Sequence, residues 1–552
     1  MKKILLLAVS LFSFIHGHAQ ALTHEQRLAD LGRVWGFLKY FHPAVAGGQY
    51  NWDDVLIRKI AQLEKLPDAE AVNAFYTNWL DELGEVKKCR SCSAYTDDDM
   101  TTAGLSWLKE NPVLNTTLRA RLLDVLQNRY HGKPFYLSNK GAGNIEMMNE
   151  PKYEMMAYPS MEYRLLGLYR YWNAVQYFFP YKKDIGEDWN KVLDEMIIPF
   201  RDAGDTLAYQ AAIWQLAARI NDSHGVGVCA PYVPSCGSPL FGVRMAPLSL
   251  QWTEKETVVV RLGSDSLCRV DDIRVGDIIK KIDGRTPQQI IDANWLYIGG
   301  SNERGRYRNN VATLLHGNSP VADVVIERDG KLMEKKIHRY PWEEIKPWMT
   351  PSKEGMWKML EEGVGYIHMG RLKQDSIKEI MNALKDTRAI VLDIRNYPQG
   401  TAQQLSRYTH PKATPFVYAT VPQTDRPGLF EKSKDFLCGT QNKQPYKGKL
   451  ILLVNESTQS HAEFSTMLLQ TAPAVVTIGN QTAGADGNVS TIVFPGGYST
   501  MMSGLGVYYP DGTPTQRVGV RVDITVTPTL AAVLKGRDEI QERALQYIHT
   551  GK

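Results

Sequence analysis

The chain has 552 residues, 43% of them apolar and 22% charged, with a formal net charge of +4. That length exceeds what one hydrophobic core organises and predicts two to four domains. So small a charge excess, with no basic run of five or more, argues against a nucleic-acid partner.

The opening stretch, MKKILLLAVSLFSFIHGHAQ, has two lysines, an apolar run of about a dozen residues, then small residues before Gln20. That order predicts a secretory signal peptide over residues 1–19, cut after Ala19; the alternative is an uncleaved anchor. No other segment reaches the ~18 apolar residues of a membrane-spanning helix. The expectation is an exported protein, periplasmic or secreted, without stable membrane insertion. Six cysteines suit an oxidising compartment: Cys89 and Cys92 form a CxxC, and Cys229 and Cys236 lie close together. Structural disulfides are expected rather than a metal, because no second cysteine pair stands at zinc-ligand spacing with histidines in phase. No cofactor is expected.

The N-terminal third repeats itself. RLADLGRVWGFLKYFHP (27–43) and RLLGLYRYWNAVQYFFP (164–180) share eight of seventeen residues at an offset of 137, and Trp52 recurs at that offset as Trp189. Leu28, Leu31, Trp35 and Leu38 share one helical face, as do Leu165, Leu168, Trp172 and Val175. The spacing predicts a duplicated helical module, copy one over 20–150 and copy two over 151–238. The copies end differently: only the second carries Ser223-His224, in NDSHGVGV. One functional copy and one scaffolding copy are expected.

Residues 239–342 read as strands. VDDIRVGDIIKKIDGRTPQQIIDA predicts a strand, an Asp-Gly turn and a short helix, and VADVVIERDGKLMEKKI predicts a hairpin about Asp329-Gly330. The stretch resembles a PDZ domain, which implies capture of an extended peptide as an added strand. From 343 to 552 strands alternate with helices: apolar strands at 363–370, 389–395, 449–456 and 474–480, a helix at 376–386, and one closing helix in LAAVLKGRDEIQERALQYI. The continuous apolar runs predict a sheet covered on both faces. Reactive groups in such a sheet gather beyond the carboxyl ends of the strands, here in DIRNYPQG (393–400), STQSHAEF (457–464) and QTAGADGNVS (481–490).

With the PDZ-like stretch, these three loops resemble the carboxy-terminal processing and tricorn family of serine peptidases, over roughly 220–545. The resemblance implies a multidomain α and α/β protein whose last domain is of the crotonase/ClpP-like type. Thr458, Ser460 and Glu463 match the family's T-x-S-x-x-E turn, which makes Ser460 the nucleophile; 393–400 resembles its Gly-rich loop with Gln399 in place of a glycine, and 516–523 its final element. The processing branch activates the serine with a downstream lysine, but no lysine occurs from 450 to 534, and Asp486 stands near that place. The tricorn branch uses an upstream histidine with a neighbouring serine and a downstream glutamate. That pattern implies His224 as base, with Ser223 and Gln516, the amide in place of the acid, orienting it.

The chemistry agrees with that assignment. A serine hydroxyl needs a base within hydrogen-bond reach, and an imidazole can take and return its proton near neutrality. The backbone N–H groups of His461 and Gly400 are the expected oxyanion donors. His461 points away from its neighbour Ser460, so its ring is expected in the pocket wall, with Gln399 and Asp486 as substrate contacts. The function expected is an exported serine peptidase acting through an acyl-enzyme on peptide or unfolded-protein substrates, with homo-oligomerisation compatible. The competing expectation is a catalytically inactive peptide- or small-ligand-binding protein on the same fold, favoured by Gln399, Gln516 and the missing lysine.

Overall fold

The computed structural model describes residues 23–229, 239–349 and 354–552. The signal-peptide segment and Cys236 lie outside the described residues.

Both repeat copies build the same unit. In the first, α1 (His24–Phe41) is followed by α2 (Trp52–Leu63) and α3 (Ala69–Glu82); in the second, α4 (Met161–Phe178) is followed by α5 (Trp189–Arg201) and α6 (Thr206–Ala218). Aspartates at equivalent places, Asp68 and Asp205, cap α3 and α6 by accepting backbone N–H groups. The repeated tryptophans explain why the motif recurs. Trp35 Nε1 donates to the Trp52 carbonyl at 3.1 Å and Trp52 Nε1 donates back to the Trp35 carbonyl at 3.0 Å. Trp172 and Trp189 repeat the exchange at 2.7 and 3.1 Å. Each indole thus buries its ring and satisfies its N–H in one contact, locking two helices together.

The two copies share one continuous hydrophobic core. They meet through α1 and α4, where equivalent positions differ in size. Gly32 lies against Tyr169, and Gly36 lies so close to Asn173 that a Cβ would fall 1.9 Å from its side chain. Asn173 Nδ2 donates to the Gly32 carbonyl at 3.0 Å, a contact that needs this close approach. Arg33 and its counterpart Arg170 each reach into the other copy: Arg33 to Asp194 at 2.7 Å, and Arg170 to the buried Asp53.

Five strands follow: β1 (Leu248–Thr253), β2 (Glu256–Leu262), β3 (Ile278–Ile282), β4 (Val321–Arg328) and β5 (Lys331–His338), antiparallel and each beside the next. Asp329 and Gly330, both at positive φ (51° and 73°), turn the last hairpin where the sequence places it. The helix Pro287–Asn294 and α7 (Glu303–Val311) lie between β3 and β4.

The last unit is a six-stranded sheet. In chain order its strands and the hairpin that interrupts them are β6 (Trp357–Glu361), β7 (Val364–His368), β8 (Ala389–Asp393), β9 (Lys449–Val454), β10 (Val475–Gly479), the hairpin β11 (Val489–Phe494) and β12 (Tyr498–Ser503), and β13 (Ile524–Thr525). The sheet order is β6-β7-β8-β9-β10-β13, with only the β6–β7 pair antiparallel. Ile390 and Leu392 face one core and Ala389 and Val391 the other, so the strand is buried on both faces as its apolar run predicts. The helices Ile377–Leu384, Ala402–Thr409 and α8 (His461–Leu469) cover the first face, and Glu539–Thr550 the second.

One expectation needs correction. The closing helix is two helices, Leu530–Leu534 and Glu539–Thr550: Gly536 at φ 64° breaks the first, and Asp538 accepts the Gln541 N–H to start the second. The β11–β12 hairpin leaves the sheet and packs on the helical module, with Ile492, Phe494, Tyr498 and Met502 in the helical core and Phe494 stacked on Tyr171. Residues of the last unit thus complete the core of the first. Among the described residues no helix is long and apolar enough to cross a membrane.

Adding one methyl at the α1–α4 contact tests this packing. Gly36→Ala should lower unfolding stability by about 1–3 kcal/mol through overpacking. Combining it with Asn173→Gly should recover part of that loss in denaturant melts.

Candidate active site

The parallel strands bring the three distinctive loops to one edge of the sheet. After β9, Thr458 is buried and its hydroxyl donates to the Ile394 carbonyl at 3.0 Å, tying this loop to the one after β8. Ser460 then turns the chain into α8 with φ 57° and ψ −124°. A non-glycine residue at such a conformation costs about 1–3 kcal/mol, and it presents the side chain at the tip of the turn.

Glu463 holds that conformation. It is fully buried, its Oε1 accepting from the Thr482 hydroxyl and the Gly484 N–H and its Oε2 from the Ala485 N–H (2.9 Å) and the Ser460 N–H (3.2 Å). Burial pushes its carboxyl up, against four donors that favour the charge. The Ser460 N–H also donates to the Ala485 carbonyl at 2.8 Å, so it is engaged within the protein. The His461 N–H has no acceptor among the described residues and remains free at the start of the helix.

His224 comes from the end of the second helical copy. Residues 222–229 run antiparallel beside β12: Cys229 and Ser499 exchange backbone hydrogen bonds at 2.8 and 3.1 Å, and the Thr500 hydroxyl donates to the Gly227 carbonyl. At the far end of this run Asp222 receives the Ser503 N–H at 2.6 Å and the His224 N–H at 3.1 Å. The same carboxylate lies 3.5 Å from His224 Nδ1, and the Ser503 hydroxyl meets that nitrogen at 2.9 Å. Burial pushes the Asp222 carboxyl up, but its bonds to His224 and the Ser503 N–H outweigh this and hold it below the usual carboxylate range. Nδ1 is turned to this carboxylate, and Nε2 is buried without a partner.

Ser460, His224, His461 and Asp486 line one cavity of about 920 Å³. Much of its wall is apolar, including Val417, Phe436, Phe464, Leu505 and Val507. The turn between the strands Leu137–Asn139 and Ile145–Met147 of the helical module supplies another side through Lys140, Gly141, Ala142 and Asn144, held by the Asn144 amide donating to the Val489 carbonyl at 2.8 Å. The His461 ring lies in the cavity wall, 6.1 Å from Tyr397 and 6.2 Å from Phe464. Burial lowers its pKa, so it is neutral.

Other expected residues fall elsewhere. Ser223 pairs with Ser301: its N–H donates to the Ser301 hydroxyl at 2.8 Å and its hydroxyl accepts the Ser301 N–H at 2.9 Å. Gln516 Nε2 also reaches the Ser301 hydroxyl, at 3.5 Å. Neither bonds the imidazole; Ser503 does, and the Asp222 carboxylate lies 3.5 Å from its Nδ1. Gly400 and Gln399 are exposed and do not line the cavity, and the Gln399 amide donates to the Gly370 carbonyl instead. Sequence reasoning missed Asp222, two residues before His224, where an aspartate commonly accepts the N–H two positions on. No cluster of metal-ligating side chains occurs among the described residues.

A strained serine at a strand–turn–helix junction, sharing a cavity with a carboxylate-held histidine, is the layout that serine hydrolases use. Residues 363–526 match the model of peptidase family S41. Among solved structures the chain is similar to a CPAF mutant, with TM-score 0.57 and 15% identity over 71% of this chain and 98% of that one. It is also similar to mature CPAF complexed with lactacystin, with TM-score 0.55 and 15% identity over 70% and 99% of the two chains. At this identity the likeness is one of fold. No curated protein matches the chain. Through residues 363–526 the chain is thus similar to the S41 peptidases.

Removing the Glu463 carboxylate should unseat the serine. Glu463→Ala leaves the Thr482 hydroxyl and the Gly484 and Ala485 N–H groups without this acceptor, and equilibrium unfolding should show a loss of at least about 2 kcal/mol. Glu463→Gln should lose less.

Proposed function

We propose that the protein is an exported serine peptidase that cleaves peptide bonds through an acyl-enzyme, with Ser460 as nucleophile and His224 as general base. The observation that carries this reading is the shared cavity: His224, with its buried and unpartnered Nε2, and the strained Ser460 line the same space. As Ser460 Oγ attacks the scissile carbonyl, His224 Nε2 takes its proton and then returns it to the leaving amine. Asp222 stays ionised and stabilises the imidazolium that forms. Water repeats the sequence to release the acyl group. Without ligand the serine–histidine bond is commonly long and tightens only when substrate binds.

The apolar wall favours substrates with an apolar side chain beside the scissile bond. Export is supported by the sequence of residues 1–19, by the Cys89–Cys92 disulfide and by the disulfide-bonded Cys229. The five-stranded unit fits the PDZ-like reading, in which a peptide tail adds to a sheet edge.

A fluorophosphonate probe tests the reading. Wild type should label at Ser460, and Ser460→Ala and His224→Ala should not. Asp222→Asn should keep the fold but slow turnover of a quenched fluorescent casein by about 10³–10⁴, because the amide cannot hold the required tautomer. An unreactive wild type would favour a peptide-binding protein without catalysis.

A further inference from the structure

One buried group on the cavity is left without a partner by the mechanism above. Asp486 is 2% exposed, lines the cavity with Ser460, and follows Ala485, whose carbonyl receives the Ser460 N–H. Its Oδ1 accepts the N–H of Gly487 at 2.7 Å, and its Oδ2 has no hydrogen-bond partner. Two cations share the cavity wall, but neither pairs with it. Arg308 is spent on the Glu456 carbonyl, Gln459 and Asn309, and Lys140 pairs with Glu146 at 3.3 Å. The remaining titratable groups around it are Glu463, His224 and His461, with Tyr181 and Tyr509 feeling its charge. None of these offers an ionised Asp486 a counter-charge at rest.

An isolated carboxylate in such a place keeps its proton. Burial, and then the neighbouring Glu463, push Asp486 well above the usual carboxylate range. Of the two acids, Glu463 has four donors and Asp486 one, so the proton belongs on Asp486. The site also lacks a donor. Of the expected donors, Gly400 lies outside the cavity, and the Ser460 N–H is engaged, which leaves the His461 N–H to meet the charge that develops on the substrate.

We propose that Asp486 acts as a neutral carboxylic acid whose Oδ2–H donates a hydrogen bond to the reacting carbonyl oxygen of the peptide, as the second oxyanion donor beside the His461 N–H. The proton stays on Asp486 throughout; negative charge gathers on the carbonyl oxygen as the Ser460 Oγ–C bond forms, and leaves it when the intermediate collapses. The inference rests on Ser460 as nucleophile. The residue near the place of the missing lysine thereby donates a hydrogen bond instead of accepting a proton.

The test measures the rate of phosphonylation by a fluorophosphonate from pH 5 to 10 in wild type, Asp486→Asn and Asp486→Ala. Asp486→Ala should slow the reaction by about 10²–10³, the usual loss for one oxyanion donor. Asp486→Asn, which keeps an N–H donor, should recover most of that loss. Wild type should lose rate at high pH as Asp486 ionises, and the Asn variant should lack that alkaline fall. Thermal melts read the protonation state independently. The folded chain keeps a proton that the unfolded chain releases near pH ~3.9, so wild-type stability should fall as pH rises above that value. Asp486→Asn should therefore melt higher than wild type at pH 8, with the gap closing below pH 4. An Asn variant as slow as the Ala variant, an Ala variant as fast as wild type, or parallel melting curves would overturn the proposal while Ser460 still reacts. An unreactive wild type would instead remove the nucleophile itself, and this proposal with it.

Discussion

The site depends on one buried carboxylate. Asp222 takes N–H groups from its own loop and from Ser503, and its charge faces the His224 imidazole. These contacts join the helical module to the hairpin of the peptidase domain and orient the ring at that joint. A charge this deeply buried is tolerable only while its donors stay in place. The same bonds that stabilise it therefore fix the position of the imidazole. In the proposed mechanism, alignment of His224 and the packing of the two halves are one problem, solved by one side chain.

The duplication explains why a helical module can serve this purpose. Two copies of a tryptophan-locked helix pair form a single rigid core, with glycine opposite tyrosine or asparagine where they touch. Because β11 and β12 complete that core, the hairpin cannot shift without disturbing it. The module then diverges only beyond α3 and α6. At the repeat offset, Glu85, Val86 and Lys87 correspond to Asp222, Ser223 and His224. The scaffold is shared, and the reactive segment belongs to one copy.

Much of this was legible in the sequence, and the parts that were not have a common cause. The repeat, the apolar strands and the Ser460 turn are local patterns, set by helical spacing, by burial on two faces and by a short motif. The cavity is not local. The Asp222–Ser503 and Asn144–Val489 contacts join residues far apart in the chain, and no periodicity announces them. Adjacent residues also mislead. Ser223 looks like the partner of His224, yet it faces Ser301, while Asp222 curls back to the imidazole. The loop of Gly400 carries a family-like pattern, but Tyr397 and not Gly400 lines the cavity. The break at Gly536 was visible as a glycine and was outweighed by the helical composition around it.

The central claim is that His224 and Ser460 act on the same proton. A crystal structure of the protein bearing a phosphonate on Ser460 measures this directly. The account predicts His224 Nε2 within about 2.6–3.2 Å of the serine oxygen or the leaving-group position, with Nδ1 still held by Asp222. An adduct in which the imidazole stays beyond hydrogen-bond reach of both, or in which another base occupies that place, would contradict it.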